Sequence, residues 1–220
     1  MNLKPIFLLA AVLVAIPPAP VLRAAPPAEP GPVIEPGRND GGWRWLFSAL
    51  AAKGAMRSAF TEERWFSMRK TPTVLQGEMR LLPGRGLSLH YTEPEEQLLV
   101  VDDAGLLLRD AKGRTRELKT GAAAAGLSAA LLPVMRFDLE KLREDFYLHA
   151  ARDGNDWRLD FVPRDRELAR TLGSLVVTGI GTAVRRLEFR RSAKQRIVVI
   201  IKTADADVTF SEEDARKFFR

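Results

Sequence analysis

Side-chain catalysis draws on nucleophiles, imidazoles and paired carboxylates, and this 220-residue sequence is short of all three at workable spacing. It contains no Cys, which excludes thiol catalysis, disulfide frameworks, Cys-ligated zinc and iron–sulfur clusters. Its two histidines are His90 and His149. His90 sits between Leu89 and Tyr91, out of phase with the apolar residues of a strand. His149 sits between Leu148 and Ala150, and both read as surface or hydrogen-bonded residues before ligands. The carboxylate pairs Glu62-Glu63, Glu95-Glu96 and Asp102-Asp103 are sequence neighbours, and on an extended chain neighbours point to opposite faces. Solvated turn or edge positions are expected for them. Gly126-Leu127-Ser128-Ala129-Ala130 lacks the last glycine of a nucleophile elbow. Gly179-Ile180-Gly181 lacks the third glycine of a dinucleotide fingerprint and reads as a turn or bulge, and neither a phosphate loop nor His-Glu-x-x-His occurs. The expectation is a protein that is not an enzyme and has no cofactor and no metal site.

The strongest charge feature is Arg185-Arg186, Arg190-Arg191, Lys194 and Arg196. On a strand, Arg186, Glu188 and Arg190 share one face while Leu187 and Phe189 take the other. A solvated hairpin face explains the cluster. A contact for anionic lipid head groups or an acidic partner, made by Arg186 and Arg190, is the functional alternative. Nucleic acid is not expected, since no aromatic-rich RNA motif accompanies the charges.

The elements that must carry these residues read as many short strands with a few helices. Steps of three and four among Trp43, Leu46, Phe47 and Leu50 predict a helix over 43–53, after which Phe60 to Trp65 becomes extended. Period-two stretches then run through 74–81 and 87–91, and apolar runs at 98–101 and 106–109 read as a strand and its hairpin partner, all separated by turn residues such as Pro83-Gly84, Pro94, Asp103-Ala104-Gly105 and Lys112-Gly113. Helical propensity returns in Gly121 to Leu132 and in Asp138 to Asp145, with Pro133 expected to separate the two. Strands resume at 147–151, 157–161, 175–178, 184–190 and 197–201, and Ser211 followed by Glu212-Glu213-Asp214 marks a last helix start. One long antiparallel sheet with helices at its start, middle and end is the expected architecture.

The N-terminus reads as an address. Lys4, an apolar run of eleven residues from Ile6 to Ile16 and the small residues Ala24-Ala25 are the parts of a secretory signal peptide. Cleavage after Ala24 is expected, leaving a soluble chain whose formal charge falls from +6 to +4. Eleven residues are too few to span a bilayer, which takes roughly 20. Residues 25–42, rich in Pro and Gly, are expected as a tether, with a single domain over 43–220.

With 46% hydrophobic residues and few helices to cover a sheet face, the apolar surplus fits either a filled core or an apolar cavity within a curved sheet. The residues leave the two open, and a resemblance tips the balance to the second. Phe60-Thr61-Glu62-Glu63-Arg64, then Leu75-Gln76-Gly77-Glu78-Met79, Pro83, Leu87-Ser88-Leu89-His90-Tyr91, Pro94 and Leu98 to Asp102 resemble the early region of periplasmic outer-membrane lipoprotein carriers, the LolA-like family. Trp157-Arg158-Leu159, Phe161, Pro163, the strands at 187–189 and 197–201, and Val208-Thr209-Phe210 follow in the family's order. The resemblance implies an incomplete β-barrel, an open curved antiparallel sheet closed by a helical lid. It further implies a monomeric periplasmic carrier that takes lipoprotein or lipid cargo from an inner-membrane donor to an outer-membrane acceptor, with transient membrane proximity. The lid would be Gly121 to Leu132 with Leu127 and Leu131, extended by Met135 and Phe137. Lipid-binding wall residues would be Met79, Leu81, Leu87, Leu89, Tyr91, Leu99 and Val101. A related receptor with this fold is anchored through a Cys, so the soluble carrier is the implied type. One departure stands out: typical members carry Arg immediately before the Pro of the early strand, where this chain has Leu82-Pro83. Arg80 and Arg85 are near but out of place. The alternative to a carrier is an envelope interaction module that docks partners through a sheet edge or the basic hairpin.

Overall fold

Alternation of apolar and polar residues in some stretches and short runs apolar on both faces in others, cut by Gly- and Asp-rich turns, build the chain into strands. The computed structural model describes residues 30–35, 37–118 and 131–220. Helix α1 (Arg44–Ala51) leads into β1 (Met56–Trp65), β2 (Thr73–Leu82), β3 (Gly86–Glu93), β4 (Gln97–Asp102), β5 (Gly105–Asp110) and β6 (Thr115–Leu118). Residues 131–136 are helical. Then come α2 (Leu139–Asp145), β7 (Phe146–Asp153), β8 (Asp156–Pro163), α3 (Arg166–Leu172), β9 (Ser174–Ile180), β10 (Ala183–Ser192), β11 (Gln195–Ile201), β12 (Asp205–Ala206) and α4 (Glu212–Phe218).

The strands form one antiparallel sheet in the order β6-β5-β4-β3-β2-β1-β11-β10-β9-β8-β7, with β12 added beside β1. Two meanders are thus sewn together by the long-range pair β1–β11, where Phe60 stands opposite Ile201 and Trp65 opposite Arg196. Among the described residues the path runs open from β6 to β7 and does not close into a barrel. Inward residues from β5 at one end (Leu106) and β7 at the other (Leu148) belong to a single buried cluster, so the sheet must curve around it. From α1, Leu46, Phe47 and Leu50 fill the same cluster.

Three arrangements differ from the sequence expectation and a fourth adds to it. Residues 31–35, expected as part of a tether, lie along β7: the Ile34 N–H donates to the Leu148 carbonyl at 2.7 Å and the Ala150 N–H to the Pro32 carbonyl at 3.1 Å. Helix α3 was not foreseen; Asp165 caps it by accepting from the Leu168 N–H, and Gly173, at φ 72, ends it. Pro133 does not break the helical residues 131–136. The break falls at Phe137, whose φ of 50 reverses the chain, and Asp138 then caps α2 by accepting from the Lys141 N–H. The last helix starts where expected, Ser211 accepting from the Asp214 N–H, but α4 covers the outer face of the sheet. There Phe218 and Phe219 bury Leu98, Val100 and Leu107, and Arg80 stacks 3.5 Å from the Phe218 ring.

Candidate functional site: an apolar inner face with a polar rim

The inner face of β1–β5 is assembled in rows across the strands. Met79 pairs with Leu89 and Leu89 with Leu99; Leu81 pairs with Leu87 and Leu87 with Val101. Six of the seven expected wall residues are buried and Leu99 is half-buried against the same cluster. Alternation predicted their common face because side chains at i and i+2 of a strand must share one. Gly77 stands in register between Phe60 and Tyr91. Without a side chain there, the two rings meet edge to face at 5.3 Å, and a Cβ on Gly77 would lie 2.2 Å from the His90 carbonyl oxygen.

Across this wall lie the helical residues 131–136 and Phe137. Leu131, Leu132, Val134, Met135 and Phe137 are all buried within the same cluster as Met79, Leu87 and Leu89. Arg136 points outward and bonds Asp103 in the β4–β5 turn at 3.1 Å, holding the segment to that hairpin. Of the expected lid, Leu131 is therefore on the inner face, whereas Leu127 lies outside the described residues.

Glu62 corrects an expectation. Its side chain is not a solvated edge group: the residue is 3% exposed, on the inner face next to Phe60 and Tyr91. The Tyr91 hydroxyl donates to Glu62 Oε2 at 2.7 Å and Arg64 Nε donates to Glu62 Oε1 at 2.5 Å. Burial, reinforced by the Glu62 charge, pushes the Tyr91 phenol well above its ordinary value of 10.0. Burial opposes the charge on Arg64, but the Glu62 carboxylate outweighs it and raises the guanidinium pKa. The result is a buried polar rim at the Trp65 end of β1, where Arg64 remains partly open to water. The step of two from Phe60 to Glu62 was a sequence signal for it. Its partner Tyr91, 29 residues on, was not.

Arg186 and Arg190 lie on the outer face, as the alternation predicted. Each donates to Glu188, Arg186 at 3.0 Å and Arg190 at 2.9 Å, and these bonds hold the Glu188 pKa below its ordinary value although burial pushes it up. With Glu188 they line a groove of about 860 Å³ together with Arg158, Arg196, Val176 and Thr178. His90 faces outward, bonded to Glu96 at 3.1 Å and tilted against Phe218; His149 bonds the Gly31 carbonyl at 2.8 Å. Among the described residues no group of three or more His, Asp or Glu could hold a metal ion, and no helix is long and apolar enough to cross a membrane.

Comparison with curated proteins finds no match. Among solved structures, the chain is similar to an outer membrane lipoprotein-sorting protein domain from Vibrio parahaemolyticus, with TM-score 0.43 and 10% identity over 79% of this chain and 94% of that one. A LolA superfamily protein from Nitrosomonas europaea is similar at TM-score 0.43 and 9% identity, over 78% of this chain and 95% of that one. The Pseudomonas aeruginosa MucA/MucB complex is similar at TM-score 0.43 and 13% identity, over 76% of this chain and 56% of that one. The sequence profile of the outer membrane lipoprotein carrier protein LolA-like family matches residues 39–217, which takes in every strand of the sheet and all but the last residue of α4. On that match, the chain belongs to the outer membrane lipoprotein carrier LolA-like family.

Proposed function

We propose that the protein is a periplasmic carrier whose inner face shelters the acyl chains of a lipoprotein or another lipid, with Met79, Leu81, Leu87, Leu89, Tyr91, Leu99 and Val101 as wall and the segment through Leu131 as lid. The observation that carries this reading is the laying of residues 131–137 across an apolar wall in a chain of the LolA-like family. Cargo enters by displacing that segment. Exposing five apolar side chains costs about 1.5–3 kcal/mol apiece, and each acyl methylene taken up returns about 0.8 kcal/mol. A long acyl chain therefore nearly balances the displaced lid, which is what a carrier that must also release its cargo requires. Glu62, Tyr91 and Arg64 give the wall one polar end, where the ester or amide of a lipid finds hydrogen-bond partners. Residues 1–24 act as the export signal.

The test is uptake of a fluorescent acyl probe together with mass spectrometry of lipid extracted from protein purified from its own envelope. Probe uptake, and its several-fold loss in Leu89→Trp with the fold retained by circular dichroism, is the expected result. No uptake and no extractable lipid would sink the proposal. The outer-face groove favours a second reading, docking of an envelope partner by Arg186 and Arg190; in that case R186A/R190A loses the partner while acyl uptake is unchanged.

A further inference from the structure

Two hairpin tips stand side by side at the Trp65 end of the sheet. Because β1 pairs with β11, the β1–β2 connection and the β10–β11 turn are neighbours, and Arg196 stacks on the Trp65 ring at 4.5 Å to join them. The first tip is Phe66-Ser67-Met68-Arg69-Lys70. It is an ordered turn: the Arg69 N–H donates to the Phe66 carbonyl at 3.0 Å, and the Arg69 guanidinium bonds the Thr73 hydroxyl at 3.2 Å. At its apex Met68 is 98% exposed and Phe66 is 44% exposed. The second tip, Arg191 to Lys194, is ordered by the Ser192 hydroxyl, which accepts from the Lys194 and Gln195 N–H groups. All of Arg69, Lys70, Arg191 and Lys194 are exposed.

Charge and apolarity coincide here. Residues 64–74 hold Arg64, Arg69 and Lys70 and no acid; residues 190–197 hold Arg190, Arg191, Lys194 and Arg196 and no acid. Isolated exposed apolar residues on a protein surface are ordinary. A protruding Met and Phe ringed by cations on two adjoining tips are a different arrangement. It matches the interfacial layer of a bilayer, where apolar tips sink beneath the head groups and Lys or Arg face anionic phosphates.

We infer that the paired tips, led by Phe66 and Met68 and flanked by Arg69, Lys70, Arg191 and Lys194, dock the protein on an anionic phospholipid surface. The contact is reversible, because two apolar side chains and a few charges fall far short of a spanning anchor. It sets the end of β1 that carries Arg64 and the Glu62–Tyr91 pair against the head groups. The inference rests on exposure and charge at the tips and is independent of what the inner face carries.

The sequence lacks Cys, so Met68→Cys in the full-length chain gives a single labelling site for an environment-sensitive dye. With phosphatidylcholine vesicles containing phosphatidylglycerol, the dye should shift to the blue and the protein should sediment with the vesicles. Raising salt, or substituting R69E/K70E, should weaken binding about tenfold or more. Phe66→Ser with Met68→Ser should also abolish sedimentation while acyl-probe uptake stays intact, which separates failure of the tips from failure of the carrier reading. No blue shift with anionic vesicles, binding indifferent to phosphatidylglycerol, or unchanged binding in both double variants would overturn the inference. An acidic protein as the true occupant would show itself as the first of these.

Discussion

Glu62 and Glu188 show how differently two buried carboxylates of one sheet are used. Glu62 faces inward with Tyr91 and Arg64 as its partners, so Glu62→Ala leaves a buried hydroxyl without an acceptor. A loss of about 1–3 kcal/mol in denaturant unfolding is expected, with Tyr91→Phe costing less because it removes the donor and leaves a carboxylate still held by Arg64. Glu188 faces outward under Arg186 and Arg190. Its folded pKa lies below the ordinary 4.5, so its stabilising contribution is complete above about pH 4.5 and is lost as pH falls through the lower folded value. The difference in unfolding midpoint between the unaltered protein and Glu188→Gln should accordingly be constant near neutral pH and shrink in acid. A difference that grows below pH 4.5 would contradict that sign. The outward facing of Glu188, Arg186 and Arg190 was readable from alternation, as was the inward facing of Met79, Leu87 and Leu89. Glu62 went the other way because residue type suggested water while phase with Phe60 placed it inside, and only a partner from another strand makes such burial tolerable.

At the scale of elements, β2 and β3 depend on Gly77 and the outer face depends on α4. Gly77→Ala would force a Cβ to within 2.2 Å of the His90 carbonyl oxygen, so the β2–β3 pairing must shift. Strong destabilisation, or a chain that fails to accumulate as a folded species, is the expected outcome; a midpoint unchanged from the parent would refute the steric argument. Phe219 is among the largest fully buried side chains and seals Leu98, Val100 and Leu107. Phe219→Ala should cost about 3–5 kcal/mol in chemical unfolding. The start of α4 was evident in Ser211 and the acids after it. Its docking on the outer face was not, because Leu98 and Val100 share a strand with the inward Leu99 and Val101, and a run that is apolar on both faces does not say which helix covers which. The helix α3 escaped notice for another reason: seven residues with two leucines give too short a period to rise above the charged background.

For the molecule as a whole, the open path from β6 to β7 leaves two sheet edges among the described residues, and β7 is shielded by residues 31–35. Ile34 is buried against the core, so Ile34→Asp should peel that segment away. A lower unfolding midpoint and concentration-dependent light scattering are expected, since an uncovered edge is a template for pairing with another chain. Scattering identical to that of the parent would mean that the segment does not guard the edge. From sequence alone came most of the strands, the turns, the facing of the wall residues and the family's diffuse signature, because these depend on local periodicity and on the order of short segments; the short β6 and β12 were not foreseen. Tertiary structure alone decided that β1 joins β11, that Glu62 finds Tyr91, that residues 131–137 lie across the wall, and that the tips at Met68 and Lys194 become neighbours. Each of those depends on contacts between residues far apart in the chain, which no local pattern encodes.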